Sequence, residues 1–324
     1  IEGHDLRGSA SIGVAFYPKD GDDPEALLRN ADTAMYHAKS LGRNMFQFYS
    51  SELNEELLEL MRLSTELRTA LERDEFELYF QPKVDTFSHE LTGAEALIRW
   101  NHPQRGMLTP DLFIGAAEGL GLITAIGDWT LEAACRQLRA WRDQAISPPR
   151  VAINVSAAQL RQVDMYTEVR SALKRHGLPG SDLELEITEN LLVQDMDSAV
   201  TVLEQIRSLG VKISIDDYGT GYSSLAYMKE LPVDTLKIDR CFIDKLDRDS
   251  ADRAIVNSTI VLARHLGMKV LAEGVETAAQ LSALQAFSCD EVQGYFFSQP
   301  LPEREFRSLL AEDEALVGAD ALAE

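Results

Sequence analysis

Basic residues are scarce in this chain, and that shortage is the first constraint on function: 31 Lys and Arg stand against 53 Asp and Glu, a formal net charge of -22. So acidic a protein is not expected to hold duplex nucleic acid through phosphate contacts. A small phosphate ligand stays open, because bound divalent cations can supply positive charge locally. Cysteine is rare too: Cys135, Cys241 and Cys289 lie far apart with no CxxC spacing. The pattern gives no disulfide framework and reads as reduced, buried thiols in a cytoplasmic domain. The six histidines form no HxxxH or HxH pair, which removes the usual zinc signature and leaves any metal site oxygen-rich, favouring Mg²⁺ or Mn²⁺. No apolar run reaches about 18 residues and no signal-peptide pattern is present. The expectation is a cytoplasmic fragment without membrane contact of its own, any anchor of the parent protein lying upstream.

With 324 residues, 45% of them hydrophobic, the chain can bury a full core. Residues 1–50 hold a strand pattern at Ser11–Tyr17, an amphipathic helix from about Pro24 to Ser40 and a short strand at Met45–Tyr49, too little for an independent core and expected to be the tail of a larger domain. Residues 51–73 place Leu53, Leu57, Leu60, Leu67 and Leu71 at helical spacing among Glu and Arg, which predicts a solvated helical linker. From Phe76 the pattern alternates. Eight β-rich runs occur at 76–82, 92–98, 151–155, 183–188, 211–216, 233–238, 269–273 and 289–294, with helical stretches at 127–145, 157–176, 197–209, 250–266 and 277–286. Strands alternating with helices imply a mainly parallel sheet, and eight strands in about 240 residues is the size of an α/β (β/α)8 barrel. The link between the first two runs is too short for a parallel crossover, so the first strand is expected antiparallel to the second. The barrel is assigned to residues 74–312 and a C-terminal tail to 313–324.

The stretch Val211–Arg240 organises the rest. Val211, Ile213 and Ile215 alternate as a strand and end in adjacent carboxylates, Asp216 and Asp217, before a Gly-rich loop. Neighbouring side chains on a strand point to opposite faces, so two acids in a row suit a sheet's rim better than its interior. Alone, Asp-Asp reads as a solvated turn. The other strands change that reading, because almost every one carries a polar residue towards its C-terminal end, where barrel enzymes keep their chemistry: Glu95 with Leu97 and Arg99, Asn154, Glu186 with Glu189 behind it, Lys237 with Asp239, Glu273, and Gln293. The first strand offers Gln81. A single strand-end acid usually caps the next helix. Several converging on one rim would repel one another unless cations sat among them.

The segments EALIRW, INVS, ELEITE, IDDYGTGYSSL, LKIDR, AEGVE and QGYFFSQPL, in this order between about residues 70 and 310, resemble the motif set of the EAL-family cyclic di-GMP phosphodiesterases. Residues SIGVAFYPKDGDDPEALLRNADTAMYHAKSLGRNMFQFY resemble the C-terminal end of a GGDEF (diguanylate cyclase) domain, without the loop that names that family, so no cyclase activity is carried over. The EAL resemblance implies a modified TIM barrel cleaving cyclic di-GMP to linear pGpG with two Mg²⁺ or Mn²⁺ ions, Ca²⁺ being expected to inhibit. It implies Glu95, Asn154, Glu186 and Asp216 on one ion, and Asp216, Asp217 and Glu273 on the other. Lys237, Asp216 and Glu273 would carry the chemistry, and Gln81, Glu95, Leu97, Arg99, Asp239 and Gln293 would meet the ligand. Glu189 would anchor the loop Tyr218–Ser224, which in the family links the metals to a dimer interface, so a homodimer through the loop after Asp217 is expected. Tyr218 stands where Phe is commoner and Cys241 where Ser is commoner; neither removes a ligand. Two rival readings share part of this pattern. A cyclic di-GMP receptor without turnover would be favoured by a missing acid or a missing Lys237, and a barrel enzyme for another phosphate ester would not require Gln81, Arg99 and Gln293 together.

Overall fold

The alternation that predicts a strand before Asp216 is the rule on which the whole sheet is built. A computed structural model of the chain describes residues 10–40, 44–146, 149–161, 164–189, 196–219 and 228–311. The expected tail 313–324 and residues 220–224 of the Gly-rich loop lie outside them. The described residues group into two compact units: the N-terminal residues through Phe76 with Trp100–Ile123, and Glu77–Arg99 with Thr124 onward.

In the first unit, strands β1 (Ile12–Val14) and β2 (Phe46–Phe48) pair in parallel across the helix Pro24–Ser40. The crossover sits close because Gly13 has no side chain: a Cβ there would lie 1.8 Å from the Ala31 carbonyl oxygen. The helix Ser51–Glu72 buries Leu53, Leu63, Leu67 and Ala70 and packs against the helices Pro24–Ser40 and Ile114–Gly119 of the same unit. The buried side chains of this helix therefore have neighbours within the unit. Phe76, Trp100 and Phe113 meet in tilted and edge-on contacts with centroids 5.7–5.8 Å apart, and the Trp100 Nε1–H donates to Glu75 at 3.0 Å.

The second unit contains a closed barrel. Its strands are β3 (Phe76–Asp85) and β4 (Leu91–His102), both of which begin or end in the first unit, then β6 (Arg150–Val155), β7 (Leu183–Thr188), β8 (Lys212–Tyr218), β9 (Thr235–Ile238), β10 (Lys269–Ala272) and β11 (Glu291–Val292). The short strand omitted from this series, β5 (Gly106–Leu108), pairs with the first-unit end of β4. From β4 through β6, β7, β8, β9 and β10 to β11 every neighbour is parallel. Strand β3 closes the ring by pairing antiparallel with β11 and by meeting β4 on its other side. Since β4 runs parallel to β11, β3 is antiparallel to both, as its short link to β4 requires. A two-residue strand, β12 (Leu301–Pro302), adds to β3.

The side chains that face the surrounding helices form the apolar shell. Leu185, Ile187, Ile213, Ile215 and Leu236 are each at most 1% exposed. The stretch expected as one helix over 157–176 is two, Ala157–Leu160 and Met165–His176. The first is held by a capping box in which Ser156 and Gln159 satisfy each other's backbone. Behind β3, Phe80, Trp141 and Phe306 meet in tilted and edge-on contacts with centroids 5.0–5.7 Å apart, and the Trp141 Nε1–H donates to Glu303 at 3.0 Å. Trp141→Ala is expected to cost roughly 3–5 kcal/mol, the range for emptying a large aromatic site in a core. A urea midpoint unchanged from the native chain would show that this cluster is not part of the barrel's stable core.

Candidate active site

Polar residues on β3, β4, β7, β8 and β9, and just past β10 and β11, touch one another across strands that are not neighbours, and such contacts run through the barrel interior. At their centre is the Lys237 ammonium on β9, fully buried. It lies 2.6 Å from Glu186, 2.7 Å from Glu273, 3.0 Å from Asp216 and 3.8 Å from Glu95. Burial alone would favour the neutral amine, but the carboxylates of Asp216, Glu186, Glu273 and Glu95 hold Lys237 well above the ordinary lysine range.

Amides tie Asn154, Gln293 and Gln81 to this centre. Asn154 donates through Nδ2 to Glu95 Oε1 at 2.8 Å, and Gln293 Nε2 donates both to Glu95 Oε2 at 2.8 Å and to Gln81 Oε1 at 3.0 Å. Gln81, Glu95, Leu97, Asp216, Glu273 and Gln293 line one open cleft of about 270 Å³. Arg99 is buried, with its guanidinium 5.3 Å from the centre of the Tyr79 ring and one N–H given to the Ile98 carbonyl. Asp239 accepts from the Cys241 N–H at the start of the next helical turn and sits beside Asp217.

The adjacent acids of β8 escape the pleat. Asp217 has φ of +55°, a left-handed conformation that Asp tolerates better than most residues, and the ladder to β9 shifts register between Ile215 and Tyr218. Asp216, Asp217 and Glu273 consequently present carboxylate oxygens all within 4.8 Å of one another. The Asp217 N–H donates back to Asp216 Oδ1 at 2.9 Å. Glu189, 5% exposed, accepts the Gly219 N–H at 3.1 Å. Gly219 has φ of +99°, and a Cβ on it would lie 2.8 Å from the Phe242 ring. The rest of the loop, and with it the expected dimer contact, lies outside the described residues.

A match to the EAL domain covers residues 64–300. The chain belongs to the EAL family. A match to the diguanylate cyclase GGDEF domain covers residues 1–45. Among curated relatives, the bifunctional diguanylate cyclase/cyclic di-GMP phosphodiesterase MucR of Pseudomonas aeruginosa is 47% identical over 311 residues, 96% of this chain and 45% of that protein. The cyclic di-GMP phosphodiesterase NbdA of the same organism is 45% identical over 302 residues, 93% of this chain and 39% of that protein. The chain thus spans less than half the length of either relative. The PaMucR phosphodiesterase solved as a c-di-GMP complex has a TM-score of 0.73 at 46% identity, covering 76% of this chain and 99% of that one.

The EAL barrel also holds charged groups that the sequence reading leaves out. Lys83 on β3 is 2% exposed and pairs with Glu184 at 3.2 Å and Glu186 at 2.6 Å. Arg150 approaches Glu184 from the other side at 3.4 Å. The available signal is the period of two: Gln81 and Lys83 alternate on β3, as Glu184 and Glu186 do on β7. Cys135 and Cys289 are buried as expected, but Cys241 is exposed, because it opens a helical turn whose apolar contact is made by Ile243.

The donor set of the acidic cluster suits a hard divalent cation. Burial and the neighbouring Asp216 and Asp239 push Asp217 up to about 6. Burial, Asp216 and Glu95 push Glu273 up to about 8 against the pull of Lys237. Both groups bind a proton more tightly folded than unfolded, so their contribution to stability is complete below the ordinary carboxylate range and is lost as pH rises through about 6 and then about 8. In a chelator the melting temperature is therefore expected to fall between pH 5.5 and pH 8.5 (roughly the interval those two values bracket), and excess Mg²⁺ should flatten the fall. The same slope with and without the ion would show that these carboxylates hold no cation. No helix among the described residues is long and apolar enough to cross a membrane.

Proposed function

We propose that the chain is a cyclic di-GMP phosphodiesterase that opens its substrate to linear pGpG with two divalent cations, Mg²⁺ or Mn²⁺. The observation that carries the reading is the convergence of Glu95, Asp216, Asp217 and Glu273 at one cleft around a buried Lys237, in an EAL chain whose relatives are named for this activity. Asp216, Asp217 and Glu273 would hold one cation, and Glu95, Asn154, Glu186 and Asp216 the other. When bound, such a pair of cations acidifies a water and neutralises charge on the phosphate.

The protein's own groups do the rest. Lys237 keeps its proton in this surrounding, so it acts as a fixed positive donor towards developing charge and not as a base. Arg99, packed over Tyr79, presents a planar fork suited to phosphate oxygens. Gln81 and Gln293, already hydrogen-bonded to each other, meet the ligand where they line the cleft, with Leu97 as an apolar wall. Asp239 lies at the edge of the same rim, beside Asp217. Domain limits of 1–50, 51–73 and 74–312, a cytoplasmic setting and a homodimer formed through the loop after Asp217 belong to the same proposal.

Glu95→Ala and Asp216→Ala are expected to stay folded and to turn over at less than about one-hundredth of the native rate, because even outer-shell partners of a metal contribute roughly 10–100-fold. Native-like pGpG release by either variant, followed by chromatography, would remove the proposed assignment. Ca²⁺ as the sole divalent ion should support ligand binding by calorimetry while suppressing cleavage, since it prefers about 2.3–2.6 Å and looser coordination, against about 2.0–2.1 Å for Mg²⁺.

Glu189 acts at one remove, through Gly219 and the left-handed Asp217. Glu189→Ala should lower turnover and raise the Mg²⁺ concentration for half-maximal rate by roughly 10-fold or more. Unchanged metal dependence would show that Asp217 needs no support from this carboxylate.

A further inference from the structure

The buried charge does not end at the catalytic rim. Below Lys237 the barrel interior continues as a ladder in which Arg150, Glu184, Lys83, Glu186 and Lys237 alternate in sign, with contacts of 3.4, 3.2, 2.6 and 2.6 Å. The two oxygens of Glu186 are divided between the lysines: Oε1 takes Lys83 and Oε2 takes Lys237. Lys83, Glu184 and Glu186 are each at most 4% exposed, so water cannot substitute for either partner, and a carboxylate so held has one orientation. Lys83 is not among the residues that line the cleft.

From this geometry we infer that Lys83 is a positioning residue for the metal site: by fixing Glu186 Oε1 down the barrel axis, it turns Oε2 towards the rim where the cations are handled. The inference rests on the proposed role of Glu186, but it concerns cation binding and stands or falls apart from cyclic di-GMP cleavage. Strand β3 is the one barrel strand that runs against the others, so its alternation carries Gln81 towards the cleft and Lys83 one step deeper, level with the gap between Glu184 and Glu186. Glu184 serves as a counter-ion here. With Arg150 on its far side it neutralises Lys83 without touching the rim carboxylates.

A Lys83 with a merely structural role would be matched by Glu184 in every readout, which gives the test its controls. Mn²⁺ binding to the whole chain, without nucleotide, is read by the loss of the free-ion electron paramagnetic resonance signal, alongside melting temperature, for Lys83→Met, Glu184→Gln and Lys83→Met/Glu184→Gln. The double variant deletes a cation and an anion together and therefore keeps the interior charge balanced, so that loss of folding in Lys83→Met alone does not end the experiment. Mn²⁺ affinity is expected to fall roughly 10–100-fold in both chains lacking Lys83, the usual consequence of removing a residue that orients a metal ligand, and to stay within about 3-fold of native in Glu184→Gln. Native affinity in the folded double variant would overturn the inference, as would equal loss in Glu184→Gln, which would mark interior charge in general and not the Lys83–Glu186 contact. If native protein binds Mn²⁺ and Lys83→Met does not, while neither cleaves cyclic di-GMP, the positioning role survives and the substrate assignment fails.

Discussion

A fully buried ammonium on Lys237 is the constraint from which the arrangement of the barrel's rim follows. Four carboxylates from different parts of the sheet reach it, and its positive charge offsets their mutual repulsion. Removing Lys237 would leave all four carboxylates without it, a loss of the kind that typically costs roughly 3–5 kcal/mol, a large share of the roughly 5–15 kcal/mol that stabilises a domain. Lys237 therefore cannot be read as a catalytic ornament on an independent scaffold. It sets where Glu95, Glu186, Asp216 and Glu273 lie before any ligand arrives.

The second device at the rim is backbone geometry. A regular β8 would place Asp216 and Asp217 on opposite faces and leave one of them among the helices. The left-handed Asp217, with the register shift beside it, gathers both carboxylates with Glu273. Such a conformation costs of order 1–3 kcal/mol for a residue with a side chain and persists only where surrounding contacts over-determine it. The Asp217 N–H to Asp216 bond and the Glu189 bond to Gly219 supply such contacts. The raised Asp217 and Glu273 mark the same place as one where negative charge exceeds what the protein alone neutralises.

Much of this is legible in the residues because a strand repeats every two positions. The alternation of Val211, Ile213 and Ile215, and the polar residue towards the end of almost every β run, locate the barrel strands and the rim without any coordinates. What escapes is whatever depends on which strand faces which across the interior. Lys83 lies one residue beyond the predicted end of the first strand, and only the closed barrel brings it to Glu184 and Glu186. Glu184 escapes for the same reason, since its partners Lys83 and Arg150 come from other strands. The break in the 157–176 helix is local and was available in principle, since Ser156 and Gln159 form a capping box within four residues. The grouping of Trp100–Ile123 with the N-terminal residues has no such signal, because it depends on Phe76, Trp100 and Phe113 meeting in space.

A barrel of this kind usually fills its interior with layers of branched apolar side chains. Here much of that space is given to lysines, carboxylates and amides, so the stability those layers would provide must come from elsewhere. The outward faces of the same strands supply it: Leu185 and Ile187 flank Glu186, Ile213 and Ile215 flank Ser214, and Leu236 and Ile238 flank Lys237, all nearly or wholly buried. Up to the rim, where Asp217 leaves the pleat of β8, these strands thus carry packing on one face and chemistry on the other. That division lets an acidic chain keep a few fixed positive groups deep inside, where low dielectric strengthens their pull on an anion. It also means that the strand alternation responsible for folding and the one responsible for the site are a single pattern, so a one-residue slip of register would lose both together.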